Sequence, residues 1–428
     1  MKTLFASLGT RGDIEPFLAQ AEIFAEAGYE VICLFPEQFR DTVTQLGYEF
    51  IGFDKSFLEM LETQSGKAIM GGGGNTWNQF KNYIKLAKNS FSLQHILISQ
   101  QRDAINSHQP DRVIFHAKCV YYYVAAMADP ARFALLTPLP CLIHPSSEYP
   151  HIGLGKWKPF SPKWNLKSYD LVNGARRLSM KKFLGKYYAD FPSTKINAKT
   201  IKEFELYRLQ TIYTISPSLF PRPNNWPESA KIVGYYFRNQ TKEYQPSIEL
   251  ETWLAKYPKA ILLTFGSMSN TKPKEHSKTI IELLQKHQIP TIVNTSWGGL
   301  EQVGNSDESI FYVNQIPYDW ILPQLYGLIH HGGSGTTHQG AAHGCVQMIV
   351  PHIIDQYFWN RIIENREVGP LGTSIHDLDA SKFEIALKDF WTNPVYAKNA
   401  KKLSEQIKFE AKRETVLNLV LNPNSNRN

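Results

Sequence analysis

Short apolar runs alternate along the chain with longer segments in which apolar residues recur every third or fourth position. Residues 4–8 form the first run, residues 16–27 repeat at helical spacing and stop at Gly28, and residues 31–35 form the next run. Further runs follow at 112–116 and 140–143. The pattern restarts in the second half. It gives a strand at 260–265, a helix at 274–287, strands at 291–294 and 325–331, a helix at 336–343 and a strand at 347–351. Buried-type strands alternating with amphipathic helices predict an α/β architecture, a doubly wound parallel sheet occurring twice.

Two such halves suit a chain of 428 residues. The stretch 216–227 carries Pro217, Pro221, Pro223 and Pro227 and reads as the region between them. The expected organisation is a first domain over 1–222, a linker over 223–245, a second domain over 246–400 and a C-terminal helix over 401–421, with a loose tail. The glycines at 71–74 predict a loop ahead of an aromatic-rich helix over 77–98.

The net charge is +7, with the basic residues dispersed, so no nucleic-acid partner is expected. A mild positive balance suits an anionic co-substrate or peripheral contact with a membrane surface. Cys33, Cys119, Cys141 and Cys345 lie in apolar runs with no CxxC pair, which predicts buried reduced thiols and a cytoplasmic location. No apolar stretch approaches about 18 residues, so no transmembrane helix is expected. The apolar start of the chain reads as a strand rather than a leader.

The densest chemistry is His330-His331-Gly332-Gly333-Ser334-Gly335-Thr336-Thr337, between a strand and a helix. Glycines let a diphosphate approach the backbone, and N–H groups at a helix start supply partial positive charge. His331 adds a ring donor, and Thr336 and Thr337 add hydroxyls. The simpler alternative is a glycine turn with a threonine helix cap. The spacing fits neither the P-loop nor the dinucleotide fingerprint. Adjacent strand side chains face opposite ways, so one histidine of the pair, His331 in our reading, reaches the anion. The next strand leads to Asp355 and Gln356, whose acceptors and amide donor suit sugar hydroxyls, although Asp355 also suits a helix cap. Asp13, after the first strand, is placed to take a proton from a hydroxyl, or to cap a helix beginning near Pro16. The only Asp-x-Asp spacing, at Asp377 and Asp379, reads as a turn and cap rather than a metal site.

Three ordered motifs carry a resemblance: Gly9-Thr10-Arg11-Gly12-Asp13-Ile14-Glu15-Pro16, Phe265-Gly266-Ser267-Met268, and the 330–337 run followed by Pro351 and Asp355-Gln356. In them the chain resembles the nucleotide-sugar glycosyltransferases, in the branch that includes sterol glucosyltransferases and glycopeptide-antibiotic glycosyltransferases. The resemblance implies the GT-B fold, two doubly wound Rossmann-like domains facing a central cleft. The N-terminal domain would hold the acceptor, the C-terminal domain the donor, and the final helix would cross back onto the first domain. Asp13 would be the general base. Ser267, His331, Gly333, Ser334, Gly335 and Thr336 would contact the diphosphate. Gln315 and Ile316 would recognise the base, Asp355 and Gln356 the sugar, and Thr10 the acceptor. His116 stands near where plant-type relatives carry an aspartate supporting the base. It either faces Asp13 or bonds to nearby backbone. Gln339 replaces the glutamate that those relatives use for ribose.

The implied reaction is an inverting sugar transfer, without metal or resident cofactor, from an expected UDP-glucose to a sterol, polyphenol or similar apolar acceptor, by a monomer. Trp77, Phe80, Tyr122 and Trp157 are the candidate acceptor walls, against the alternative that such aromatics are core. A sugar-nucleotide epimerase or hydrolase of the same fold, or a non-catalytic nucleotide-sugar binder, also fits the motifs.

Overall fold

The first apolar run becomes β1 (Lys2–Ala6), which leads through a glycine turn into α1 (Arg11–Glu26) and back to β2 (Glu30–Pro36). The computed structural model describes residues 1–56, 59, 93–238, 244–266, 268, 270, 272–295, 298–304 and 307–422. These residues fall into two units. One comprises the described residues up to Arg238 together with those from Glu410 onward, and the other the residues between.

In the first unit β3 (Glu49–Phe53), β4 (Arg112–Phe115), β5 (Phe133–Thr137), β6 (Gln210–Tyr213) and β7 (Ala230–Ile232) complete a seven-stranded sheet ordered β3-β2-β1-β4-β5-β6-β7, parallel throughout. β1 is central because its residues are apolar on both sides: Leu4, Phe5 and Ala6 are fully buried. α1 lays Phe17 and Phe24 against Phe35 and Phe5, with ring centroids 6.5 and 5.5 Å apart. α2 (Tyr121–Ala128) follows β4, and α3 (Pro162–Leu184) lies between β5 and β6. The strand expected at 140–143 is absent. The strand is β5, at 133–137, and Pro138 and Pro140 end its ladder by withholding N–H donors.

In the second unit β8 (Ile261–Thr264), β9 (Thr291–Asn294), β10 (Ile310–Val313), β11 (Gly327–His330) and β12 (Val346–Ile349) form a parallel sheet ordered β10-β9-β8-β11-β12. α4 (Ser334–Ala342) connects β11 to β12, and α5 (Ile354–Asn365) follows β12.

Two expected boundaries move. The proline-rich stretch is part of the first unit: Leu219, Phe220 and Trp226 are buried there, and the chain continues into β7. The C-terminal segment is two helices rather than one. α6 (Pro394–Ile407) belongs to the second unit, and α7 (Arg413–Leu421) packs on α1 in the first. The break has a local cause. Ala411 backbone lies against Gly234, and the Lys412 carbonyl accepts from Tyr236 Oη at 2.5 Å, contacts that hold 411–412 outside a helix. The cysteines are all buried and free. Among the described residues no helix is long and apolar enough to cross a membrane.

Candidate active site

Asp13 is the third residue of α1. Thr10 N donates to Asp13 Oδ2 at 3.0 Å, and Ser7 Oγ donates to the Asp13 carbonyl at 2.9 Å. This reciprocal start sets the helix more than a turn earlier than Pro16 suggests, so Asp13 lies on the helix rather than in a loop before it. Pro16 is tolerated inside the helix, where its ring merely offers no N–H to the Gly12 carbonyl. Gly9, at φ 143°, lies directly against the carboxylate, and a Cβ there would sit 1.9 Å from Asp13 Oδ2.

β4 pairs with β1, and His116 N donates to the Ala6 carbonyl at 2.8 Å, which brings the 116–118 turn to the same sheet end. Lys118 Nζ donates to Asp13 Oδ1 at 2.9 Å, and His116 Nε2 lies 3.5 Å from the same oxygen without a hydrogen bond. His116 Nδ1 accepts from Lys118 N at 3.4 Å, which leaves the ring proton on Nε2, on the carboxylate side. Burial alone raises the Asp13 carboxyl. The Lys118 ammonium and then His116 outweigh it, and the group rests below the usual carboxylate range. Burial, and then Lys118, push His116 down to about 4, so it is neutral at physiological pH. Asp13 and His116 are thus close together. The sequence reading missed Lys118, although its place two residues after a histidine at a strand end was a usable signal.

The proposed acceptor aromatics separate. Tyr122 is fully buried, with its hydroxyl donating to the Gln101 carbonyl at 3.1 Å, and is a core residue rather than a pocket wall. Trp157 stays 56% exposed, edge-on to Phe160. Trp77 and Phe80 lie outside the described residues, as does Ser267.

In the second unit the two histidines differ sharply. His330 is used up by the fold: its Nε2 bonds Gln347 Oε1 at 3.0 Å and its Nδ1 accepts from Gly332 N at 3.1 Å. His331 is buried, yet its Nδ1 has no partner. Its other edge is clamped by glycine, since a Cβ on Gly333 would lie 2.5 Å from His331 Nε2. Burial, and then His330, push His331 down to about 3. Gly333 caps α4, so the amides of Ser334, Gly335 and Thr336 head a helix beside this ring. The Thr337 hydroxyl donates to the Gly333 carbonyl at 3.0 Å and is not available to a phosphate, a correction to the hydroxyl role expected for it. One turn on, Gln339 Oε1 is buried without a partner, an acceptor fit for a sugar-ring hydroxyl.

Asp355 is half-buried on the first turn of α5. Gln356 does not share its role. Its Oε1 accepts from His352 N at 2.7 Å and Ile353 N at 3.1 Å, and its Nε2 donates to Met268 Sδ, so the amide caps α5 instead of facing sugar. Gln315 is exposed at the end of β10, whereas the Ile316 side chain is core, leaving only its backbone to meet a base. His352, absent from the sequence reading, packs edge-on to Phe265 with its Nε2 buried and unpartnered. Its Nδ1 is committed to the Val350 carbonyl at 2.9 Å.

Comparison with known proteins fits this geometry. Residues 3–109 match the glycosyltransferase family 28 N-terminal domain, and residues 284–420 the C-terminal domain of the erythromycin biosynthesis protein CIII-like family. The sterol 3-beta-glucosyltransferases UGT80B1 and UGT80A2 of Arabidopsis thaliana are 29% and 27% identical, over 91% and 96% of this chain and 62% and 63% of theirs. The sterol 3-beta-glucosyltransferase of Yarrowia lipolytica is 25% identical over 96% of this chain and 28% of its own. The chain thus spans about three-fifths of the plant relatives' length and under a third of the fungal one. Among solved structures, the glycotransferase of kitacinnamycin superposes with a TM-score of 0.70 at 14% identity, over 98% of this chain and 97% of that one. The calicheamicin glycosyltransferase CalG4 superposes with a TM-score of 0.69 at 16% identity, over 99% of both chains. With a glycosyltransferase-type domain matched toward each end and the two-sheet fold of these structures, the chain has the GT-B fold and is similar to the sterol 3-beta-glucosyltransferases.

Proposed function

We propose that the protein transfers a sugar, glucose from UDP-glucose, to a hydroxyl of an apolar small molecule such as a sterol or polyphenol. The transfer inverts the anomeric centre and needs neither a metal nor a resident cofactor. The observation that carries this reading is Asp13, an ionised and largely covered carboxylate at a sheet end, held by Lys118 and the Thr10 amide. A carboxylate so placed takes the proton from the attacking hydroxyl. Its Oδ1 is shared with the half-exposed Lys118, which can yield that position to an incoming hydroxyl.

The leaving diphosphate needs its developing charge met. The amides heading α4 and the unpartnered His331 Nδ1 support that role. Asp355 serves the sugar hydroxyls, and Gln339 the ribose. The acceptor class rests on the names of the relatives.

The test is to incubate the chain with several nucleotide sugars and a pooled acceptor library, with and without EDTA, and to read mass additions. A hexose added to an apolar acceptor, from UDP-glucose and in EDTA, is the expected result. Release of free or epimerised sugar without an acceptor, or donor binding with no turnover on any acceptor, overturns it.

A further inference from the structure

α3 buries polar side chains while it exposes large apolar ones. Beside Tyr169, Met180 and Leu184, its buried face carries Asn165, Ser168, Asn173 and Arg177, each held by the fold. Asn165 Nδ2 donates to the Ser147 carbonyl, Ser168 Oγ accepts from His151 N, Asn173 Nδ2 donates to the Leu142 carbonyl, and Arg177 Nε pairs with Glu205 Oε2 at 2.9 Å. The outer face carries apolar residues instead. Trp164, Leu171 and Leu178 follow at intervals of seven, so they fall on one side of the helix and span about 21 Å. They are 60%, 71% and 65% exposed. The turn before the helix adds Trp157 and Phe160, stacked edge-on and exposed, and the buried Asn165 side chain fixes that turn by bonding Phe160 N and O.

Charge on this surface is mostly of one sign. Residues 156–182 contain six lysines and a single acid, Asp170, which pairs with Lys202. Lys167 Nζ lies 4.6 Å above the Trp164 ring, so cation and apolar surface are interleaved. Lysine is depleted from protein–protein interfaces, whereas tryptophan, leucine and lysine along one helix face are what a headgroup layer takes up. An exposed apolar stripe of this size costs solubility unless something covers it.

We propose that this face docks the protein on an anionic lipid surface. α3 lies in the headgroup plane with Trp164, Leu171 and Leu178 at the acyl boundary and the lysines against lipid phosphates. This goes beyond the proposed reaction, and the binding is read without turnover.

The experiment is flotation of the full chain with vesicles of phosphatidylcholine alone and with phosphatidylglycerol added. Expected are binding at least about tenfold stronger to the anionic vesicles, a blue shift of tryptophan emission, and weakening by salt. Trp164→Ser combined with Leu171→Ser is expected to lower binding about tenfold or more. Lys163→Glu with Lys167→Glu is expected to erase the preference for anionic lipid. Both are surface changes, so UDP affinity and circular dichroism should match the parent chain. Absence of flotation with either vesicle, or equal flotation by parent and variants, overturns the proposal. So does a concentration-dependent dimer that the serine variant dissolves while vesicles are ignored, which would make the face a protein contact.

Discussion

Lys118 holds the Asp13 carboxyl down while burial pushes it up, and the balance sets where the site loses its base. Asp13→Asn keeps the shape and the contact to Thr10 N but not the basicity, so turnover should fall roughly 10²- to 10⁴-fold with UDP affinity unchanged. Steady-state kinetics beside calorimetry checks this; near-parental turnover removes Asp13 from the role. In the parent, the acid limb of kcat/KM should lie below the usual carboxylate range, because the base is the ionised form. Lys118→Met leaves burial unopposed by its main counter-charge. The Asp13 carboxyl then rises, and the acid limb moves to higher pH. An unmoved profile would disconnect Lys118 from the base. His331→Ala should weaken UDP binding by about 1.5 to 3 kcal/mol, roughly ten- to hundredfold in Kd, whereas the fold already uses both nitrogens of His330. Alternation along a strand says only that the two histidines face different ways; the partners of His330 within the fold are what single out His331. The partners of Asp13 were only half legible. His116 stood out as a histidine at a strand end. Lys118 had only its place two residues after that histidine to mark it, because nothing local to its sequence says that β4 pairs with β1.

Helix starts place both halves of the proposed chemistry. α1 begins at the Thr10–Asp13 pair and α4 at Gly333, whose φ is ordinary and whose missing Cβ makes room for His331. Gly333→Ala should therefore leave the backbone intact, displace the His331 ring and weaken UDP binding about as much as His331→Ala. Added to His331→Ala it should cost little more, because the clash is with a ring no longer present. Calorimetric titration of the two single variants and the double variant tests this; additive losses would mean that Gly333 acts on the amides instead. Strands were legible because runs apolar on both faces have few other places to go. Helix starts were less so: Pro16 suggested a start at itself, and Gln356, read as a sugar contact, proved to be a cap, since an amide in the first turn of a helix that follows a strand suits either.

At the scale of the molecule, the chain leaves the first unit after Arg238 and rejoins it at Glu410. The returning helix α7 buries Val416 fully beside the residues that α1 and β2 bury, pairs Arg413 with Glu26, and receives Arg112 Nε on the Val420 carbonyl at 3.0 Å. Val416→Asp would place a charge in that apolar site and should lower the stability of the first unit by about 3 kcal/mol or more, leaving UDP binding by the second unit largely intact. Calorimetry with and without UDP separates the two transitions, and an unchanged first transition would mean that α7 is only loosely seated. This return explains why a reading by segments took 401–421 for one helix. Amphipathic periodicity continues across the break, and only the contacts of Ala411 and Lys412 interrupt it.

The same return has a consequence for synthesis. When the ribosome has delivered β1 to β7, the apolar face of α1 that α7 will cover is still open, and roughly 190 further residues must emerge before α7 exists. At about 5 to 20 residues per second that is an interval of roughly 10 to 40 s, during which the earlier half waits unfinished while the later half has time to fold. Arg413–Leu421 thus acts as a latch closed last, and a nascent chain halted anywhere before it would display a greasy furrow that chaperones and proteases can read as a mark of incompletion.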